Sequence, residues 1–279
     1  MKLSLTIPTY NEEKNIHIPL DSAYDLVDEV VIVDGGSSDD TVKKAESYGP
    51  KVKVHHVDNP PNFLTNKQRA IEYAHGEWIV QLDADEAISP ELKDEIRSAI
   101  SDQSSVIGKK INKKPTTDLP RRQAGNRQPI AGFWIPRKNF FLGRFLMKGG
   151  VYPDRVLRLY KRDKAHFKLK DIHENAVVDG ETGETKSAIE HYADPDFERY
   201  IMRWNRYTTF DANQAIEKKQ KLSFFKYFII KPISTFFKIY FRHKGFMDGF
   251  PGFVWALFSS LRYLVIYVKI WQKSQHESL

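Results

Sequence analysis

The chain has 279 residues, of which 41% are apolar and 28% charged, so it can bury a large core in one large domain or in one domain with an appendage. It contains no cysteine, which excludes disulfides, thiolate metal sites and a cysteine nucleophile. The net charge of +7 is unevenly distributed. Residues 199–279 carry 14 Lys and Arg against 4 Asp and Glu, whereas the preceding 198 residues carry 29 against 32. The composition predicts a near-neutral, enzyme-like region followed by a segment that is attracted to anions.

Apolar strand-like runs alternate with amphipathic helical patterns over residues 1–100. We predict strands at 3–7, 29–34 and 51–57 and a fourth over the apolar run 78–82, with helices at 40–48 and 65–75, the latter ended by Gly76. Pro8 is expected to end the first strand, Asn11 to cap a helix after it, and Pro90 to open another helix. This alternation is typical of an α/β fold with a mostly parallel sheet and right-handed crossovers.

Carboxylates follow two of the predicted strands directly. The run GEWIVQLDADEAISP (76–90) stops at Asp83, Asp85 and Glu86, and the second strand stops at Asp34. The carboxyl ends of parallel strands share one rim, where ligands of open α/β sheets bind. Two carboxylates one residue apart can converge on a hard divalent cation. A lone Asp-X-Asp is more often a solvated acidic turn, so the predicted site depends on the agreement between the strand ends.

The second half of the chain changes character twice. Residues 102–130 are polar, basic and without periodicity, which predicts a mobile loop or a disordered insertion within a domain spanning 1–195. Residues 196–279 form a basic, aromatic helical region, with helices predicted at 196–218, 222–242 and 251–271. The last is long enough to span a membrane, but Arg262 and Lys269 favour an interfacial helix or one buried in a dimer.

Three motifs in order, TIPTYNE, VVIVDGGSSDDT and GEWIVQLDADE, resemble those of the family 2 inverting glycosyltransferases. The later segments GGVYPDRVLRLYKR and IHENAVVDG, with His191 after them, are similar to the branch that includes lipopolysaccharide-core glucosyltransferases. The resemblance implies the GT-A fold, a Rossmann-like and mostly parallel sheet flanked by helices, here with a C-terminal helical appendage. It also implies a nucleotide-sugar donor, a divalent metal (Mn²⁺ or Mg²⁺) and inversion at the anomeric carbon.

The resemblance assigns roles to residues near the strand ends. The uridine pocket of the family corresponds to Pro8, Tyr10, Glu12 and Asp34. A carboxylate at position 34 can accept a hydrogen bond from the uracil N–H. The metal motif corresponds to Asp83 and Asp85, with Asp85 the expected direct ligand, Asp83 nearer the ribose, and Ala84 between them against the donor.

Three further side chains are candidates around the donor. Lys67 and Arg69 lie on the helix before the acidic strand end and could meet phosphate, although a solvated helix face explains them equally well. His191 could complete the metal shell, although hard cations accept nitrogen reluctantly.

An acceptor hydroxyl is a poor nucleophile, so an inverting displacement needs a general base. Glu174 is the predicted base, with His173 orienting the base or the acceptor. Asp171 and Asp154 are rival bases.

The predicted function is therefore transfer of a sugar, glucose by preference, from a UDP-linked donor to a lipopolysaccharide-core or other lipid-linked acceptor. The expected location is the cytoplasm, peripheral on the inner face of the cytoplasmic membrane, with a homo-oligomer through the C-terminal helices as a further option. A polyprenyl-phosphate glycosyl synthase is the alternative enzyme, and a non-catalytic sugar- or nucleotide-binding membrane scaffold is the alternative from another class. Nucleic-acid binding is disfavoured, because the basic residues alternate with bulky aliphatic ones.

Overall fold

The computed structural model describes residues 1–101, 129–169, 175–194, 196–218, 220 and 222–276, which form two compact units. The first unit comprises residues 1–137 and 154–191, and the second comprises 138–153 and 192–279. Residues 138–153 thus group with the C-terminal region, a finer division than a single boundary at 195. The predicted loop at 102–130 lies outside the described residues except at its last two positions.

The chain begins with alternating strands and helices, as predicted. These elements are β1 (Leu3–Thr9), α1 (His17–Ala23), β2 (Glu29–Asp34), α2 (Thr41–Glu46), β3 (Val52–His56), α3 (Leu64–Tyr73), β4 (Trp78–Gln81), β5 (Glu86–Ile88) and α4 (Pro90–Ser101). The strands that follow are β6 (Ile130–Phe141), β7 (Arg144–Leu146), β8 (Asp154–Lys161), β9 (Ala165–His166), β10 (Val177–Val178), β11 (Glu181–Glu184) and β12 (Ile189–Asp194).

The main sheet has the strand order β3-β2-β1-β4-β8-β6-β12-β5. Strands β1 to β4 pair in parallel, whereas β8 runs antiparallel to both β4 and β6. The prediction of an α/β fold with a mostly parallel sheet flanked by helices is confirmed. The carboxyl ends of β1, β2 and β4 lie side by side, because these three strands are neighbours.

The sheet is buried on both faces, which explains why β2 is apolar almost throughout. Val30 and Ile32 of β2 pack into the core on one face, which α1 and α4 cover with Leu20 and Ile96 among others. Val31 and Val33 point to the opposite face, where α3 supplies its own apolar residues.

Two local predictions were wrong. Pro8 lies inside β1 rather than at its end, opposite Val33 of β2. Strand β4 pairs with β1 only as far as Thr6. Beyond that residue, one side of β1 forms no hydrogen bonds to a neighbouring strand, so a proline, which has no N–H to donate, is tolerated there. Asn11 does not cap a helix, because it adopts a left-handed backbone (φ +55°) and α1 begins only at residue 17.

The helical part of the second unit contains α5 (Phe197–Glu217), α6 (Lys231–Phe237) and α7 (Gly249–His276). The predicted helix at 222–242 contains α6 between two wider π-helical segments, Lys226–Ile230 and Lys238–Arg242. Tyr227, Ile266 and Ile270 are buried together with small residues of α5. By length and composition alone, the stretch Gly245–Gln275 could cross a membrane, a test that core helices of soluble proteins also pass.

Gly76, which precedes β4, is in close contact with β1. A Cβ atom at this position would lie 2.6 Å from Ser4 Oγ, 2.7 Å from Ser4 N and 2.9 Å from the Trp78 carbonyl oxygen. The Gly76 amide donates to Ser4 Oγ at 2.8 Å, so the turn cannot move away without losing that bond.

We therefore expect Gly76→Ala to destabilise the protein by about 1–3 kcal/mol, as overpacking of a close contact does. Urea unfolding measures the loss, with Lys53→Ala on an exposed position of β3 as a control that should change stability by less than about 0.5 kcal/mol. Equal midpoints for the two variants would contradict the close packing.

Candidate active site

Asp34 ends β2 as a buried carboxylate that the following turn surrounds. Its oxygens accept hydrogen bonds from the amides of Gly36 (3.1 Å) and Ser37 (3.0 Å), from Ser37 Oγ (2.5 Å) and from Thr9 Oγ1 (3.4 Å). Gly36 has a φ of +83°, which turns the backbone back toward the carboxylate. Four bonds match the acceptor capacity of a carboxylate, so a further donor would have to replace one of them, of which the bond from Thr9 is the longest.

The turn after β1 and the turn after β2 are tied together by polar bonds; we call this pair of turns the clasp. The amide of Asn11 donates to Ser37 Oγ at 2.9 Å, and Asn11 Oδ1 accepts from the Ser38 amide at 2.8 Å. The Glu12 amide donates to Thr41 Oγ1 at 2.7 Å. Pro8, Tyr10, Glu12 and Asp34 are therefore brought together at one rim, as the sequence predicted, with half of the Tyr10 side chain exposed. Their roles stay predictions.

Asp83 follows β4 and lies between two cations. Lys67 Nζ of α3 is 2.5 Å from one carboxylate oxygen, and Arg158 of β8 is 2.5 Å from the other. Burial favours the neutral carboxyl, but the charges of Arg158 and Lys67 outweigh it and hold the pKa of Asp83 well below its usual range. Burial, aided by the nearby Arg158, lowers the pKa of Lys67.

Glu86 is fully buried and connects this pair to further charges. Its carboxylate accepts from Arg158 (2.9 Å), from Arg137 (3.0 Å) and from the Asp83 amide (3.0 Å). Burial opposes the charge of Arg158, but Asp83 and Glu86 outweigh it and raise the pKa of Arg158 further. Arg137 also binds Asp154 through two nitrogens at 2.6 and 2.9 Å. The rim thus contains a neutral network of three cations and three carboxylates.

Asp85 and His191 form a second pair beside this network. His191 of β12 lies opposite Glu86 of β5, and its Nε2 is 3.5 Å from Asp85 Oδ1. The described residues contain no group of three or more His, Asp or Glu side chains that could hold a metal. Mg²⁺ and Mn²⁺ usually take one or two carboxylates plus water and substrate phosphates, so Asp85 fits such an ion, whereas the imidazole of His191 is a ligand that a hard cation accepts less readily. Asp83 fits less well, because both its oxygens already bind cations.

Other predicted residues lie apart from the rim or outside the described residues. Arg69 binds Asp58 at 2.5 Å and Asn66 at 3.0 Å, and no contact of Arg69 with Asp83 appears among the described residues. Ala84 is buried and can contribute only its backbone and methyl group. The predicted base Glu174, its neighbour His173 and the rival Asp171 are outside the described residues.

Sequence reasoning missed Arg158 and Arg137 at the site, and it placed Glu86 in the acidic cluster without a role. A signal for Arg158 exists, because all its neighbours in the run VLRLY (156–160) are apolar or aromatic, and an arginine buried in such a strand requires a buried partner. The sequence could not name that partner, since Asp83 lies far away along the chain.

The arrangement combines two chemical abilities. Lys67 can bind a phosphate in exchange for Asp83, whereas Arg158 is held by both Asp83 and Glu86. Asp85 and His191 offer ligands for a divalent cation at the same rim.

We expect Asp83→Asn to reduce the free energy of unfolding by about 3 kcal/mol at neutral pH, because Arg158 and Lys67 lose a buried counter-charge. The loss should shrink below pH 3.8, the ordinary pKa of the group. There the unfolded wild type binds a proton at Asp83 and the folded wild type does not, so the wild type loses at most about 1.4 kcal/mol per pH unit relative to the variant. Urea unfolding between pH 7 and pH 3 measures the difference.

Asp94→Asn is the matched control, since this carboxylate on α4 is 80% exposed. Its effect should be small at every pH. A difference for Asp83→Asn that stays constant down to pH 3 would contradict the lowered pKa.

Comparisons with known proteins agree with this geometry. Residues 4–167 match the family described as Glycosyl transferase family 2. The chain is similar to the lipopolysaccharide core biosynthesis glycosyltransferase LpsC of Rhizobium meliloti (strain 1021), with 24% identity over 277 residues, 98% of this chain and 93% of LpsC.

Two solved structures are similar at a lower level. S. aureus TarS in complex with UDP-GlcNAc has 19% identity and a TM-score of 0.42 over 97% of this chain and 88% of its own. Glucosyl-3-phosphoglycerate synthase from Mycobacterium tuberculosis, in complex with Mn²⁺, UDP-glucose and phosphoglyceric acid, has 29% identity and a TM-score of 0.28 over 30% of this chain and 34% of its own. The family match spans more than half of the chain, and the acidic motifs of that family meet at one rim of a mostly parallel sheet. The chain therefore belongs to glycosyl transferase family 2 and has the GT-A fold.

Proposed function

We propose that the protein transfers glucose, with inversion, from a UDP-linked donor to a hydroxyl of a lipopolysaccharide-core or other lipid-linked glycan. The observation that carries the proposal is that three groups of side chains lie together at the rim of the sheet. Asp34, the pair of Asp83 with Lys67, and the pair of Asp85 with His191 lie at or beside the ends of neighbouring strands. These groups suit, in turn, a nucleobase, a diphosphate and a divalent cation.

The donor is the best-supported part of the proposal. Asp34 is a buried acceptor at a strand end, and the exposed ring of Tyr10 can stack on a base. TarS, a distant relative in fold, was solved with UDP-GlcNAc, which supports a UDP-linked donor for this chain without deciding its sugar.

Asp85 and His191 would hold Mn²⁺ or Mg²⁺. When bound, such an ion acts as a Lewis acid that neutralises the charge of the diphosphate leaving group. Lys67 can add positive charge at the same place by exchanging Asp83 for the diphosphate, whose negative charge favours the protonated amine and so opposes the lowering of the Lys67 pKa by burial. Arg158 and Glu86 keep the Asp83 carboxylate in position.

The acceptor assignment comes from LpsC, whose similarity extends over nearly the full length of both chains. A polyprenyl-phosphate acceptor would leave the rim unchanged, so only the second substrate separates the two enzymes. Transfer of label from UDP-glucose to purified core oligosaccharide or to polyprenyl phosphate distinguishes them.

We expect the full-length protein to bind UDP-sugars more tightly with Mn²⁺ than with a chelator, and Asp85→Ala to lose that metal-dependent part. The reason is that an unneutralised diphosphate would then face the remaining carboxylates. Calorimetry measures the affinity for UDP and UDP-glucose with Mn²⁺ and with a chelator. Asp94→Ala is the control for loss of an unrelated carboxylate. If Asp85→Ala kept the metal-dependent part of the binding, the assignment of Asp85 as a metal ligand would be wrong.

Replacement of the base should leave donor binding intact and slow turnover. We expect Glu174→Gln to reduce turnover by about 10²–10⁴-fold, because the amide cannot accept the proton of the acceptor hydroxyl. Asp154→Asn is the comparison, since Arg137 already occupies that carboxylate from two nitrogens. A collapse of turnover in Asp154→Asn with normal turnover in Glu174→Gln would transfer the role to Asp154.

A further inference from the structure

The segment 224–242 in the second unit exposes a row of large apolar side chains. Phe225 is 72% exposed, and the row continues at steps of four through Ile229, Ile233, Phe237 and Phe241. Ile230, beside the row, is 61% exposed. We call these six side chains the apolar row.

The row stays on one side of the helix because of the two π-helical segments. In an α-helix, residues four apart are rotated by about 40°, so five residues at this spacing would wind roughly 160° around the axis. The segments Lys226–Ile230 and Lys238–Arg242 have wider turns, which reverse part of that drift. The apolar residues therefore form a continuous stripe rather than a spiral.

The opposite side of the same segment is fixed by packing. Tyr227 is buried and contacts the rings of Tyr263 and Tyr267 of α7, at centroid distances of 6.5 and 6.0 Å. Lys231 Nζ lies 3.8 Å from the centre of the Tyr227 ring. The helix cannot rotate its apolar row inward without breaking these contacts.

The charge around the row has one sign. Residues 218–247 contain eight Lys and Arg and no Asp or Glu. Lys226, Lys238 and Arg242 are exposed along the segment that bears the row. The next acidic residue, Asp248, is buried and accepts from the amides of Met147 (3.2 Å) and Lys148 (2.7 Å), so it offers little negative charge to a partner.

We propose that the apolar row docks the protein on the surface of an anionic phospholipid membrane, with the inner face of the cytoplasmic membrane as its location. Aromatic and aliphatic side chains enter the boundary between headgroups and acyl chains, while Lys and Arg beside them bind anionic headgroups. This docking role is separate from the proposed reaction, since none of the residues of the apolar row belongs to the rim.

A second copy of this chain fits the same face poorly. A twofold interface brings the same patch of both copies together, so Lys226, Lys238 and Arg242 of each copy would face the same cations of the other, with no acidic residue within 218–247 to balance them. Anionic lipid instead supplies the missing charge.

A spanning arrangement of α7 also fits poorly, because polar bonds join it to α5. Lys269 Nζ donates to Thr208 Oγ1 at 2.8 Å and to Thr209 Oγ1 at 2.7 Å, and Arg262 binds Asp211. A helix that crossed the bilayer would either break these bonds or carry the polar helix α5 with it. The row therefore lies on the membrane and α7 supports it from behind.

Flotation of the full-length protein with vesicles tests the proposal. We expect binding to phosphatidylcholine vesicles that contain phosphatidylglycerol, weak binding to phosphatidylcholine alone, and release from the mixed vesicles by high salt. Ile230→Ser should weaken the partition by about tenfold through lost apolar burial. Lys226→Gln with Lys238→Gln should weaken it by about twenty-fivefold, or fivefold for each charge.

Met202→Ser and Lys43→Gln are the controls. Met202 is 61% exposed, as Ile230 is, but lies on α5, and Lys43 is an exposed cation on α2. Neither should change flotation, and an unchanged Tm shows that each variant is folded.

Several outcomes would overturn the proposal. These are absence of flotation at low salt, equal binding to both kinds of vesicle, resistance to alkaline carbonate extraction, or an equal loss in Met202→Ser. A dimer that Ile230→Ser dissociates, with no flotation of the wild type, would assign the row to self-association. The assay uses neither donor nor acceptor, so its failure would leave the proposed reaction untouched.

Discussion

The buried guanidinium of Arg158 is the constraint around which the rim is arranged. Removal of an arginine from water costs several kcal/mol, and this cost is offset only where carboxylates meet it with good geometry. Asp83 and Glu86 provide that geometry from the end of β4 and the start of β5, while Arg158 comes from the antiparallel strand β8. The position of Asp83 is therefore set by three elements rather than by its own loop.

Because of this constraint, the two aspartates of the acidic motif have different partners. Asp83 is engaged by Lys67 and Arg158, whereas Asp85 lies beside His191. Two carboxylates that are one residue apart thus face different partners: Asp83 faces two cations of the neutral network, and Asp85 faces an imidazole. The network thus fixes the Asp83 carboxylate in position before any ligand binds.

The parts of the fold that depend on local pattern could be predicted from the sequence. The apolar run of β2 and the polar residues that follow it place Asp34 at a strand end without any knowledge of other strands, and the same holds for Asp83. The partners of these carboxylates could not be predicted, because Arg158 reaches Asp83 only through the antiparallel pairing of β8 with β4. Pro8 and Asn11 were misjudged for the same reason, since their conformations depend on where β4 stops and on the turn after β2.

The clasp between the turns after β1 and β2 has a consequence for local opening. Asn11 and Glu12 of one turn bond to Ser37, Ser38 and Thr41 of the other, so neither turn can detach without breaking all of these bonds. Local unfolding proceeds in cooperative segments, and such reciprocal bonds place both turns in one segment. Amide hydrogens of both turns should then exchange with solvent at a common rate. The proposed nucleoside pocket would then open and close as one unit, because Tyr10 precedes Asn11 in one turn and Asp34 precedes Ser37 in the other.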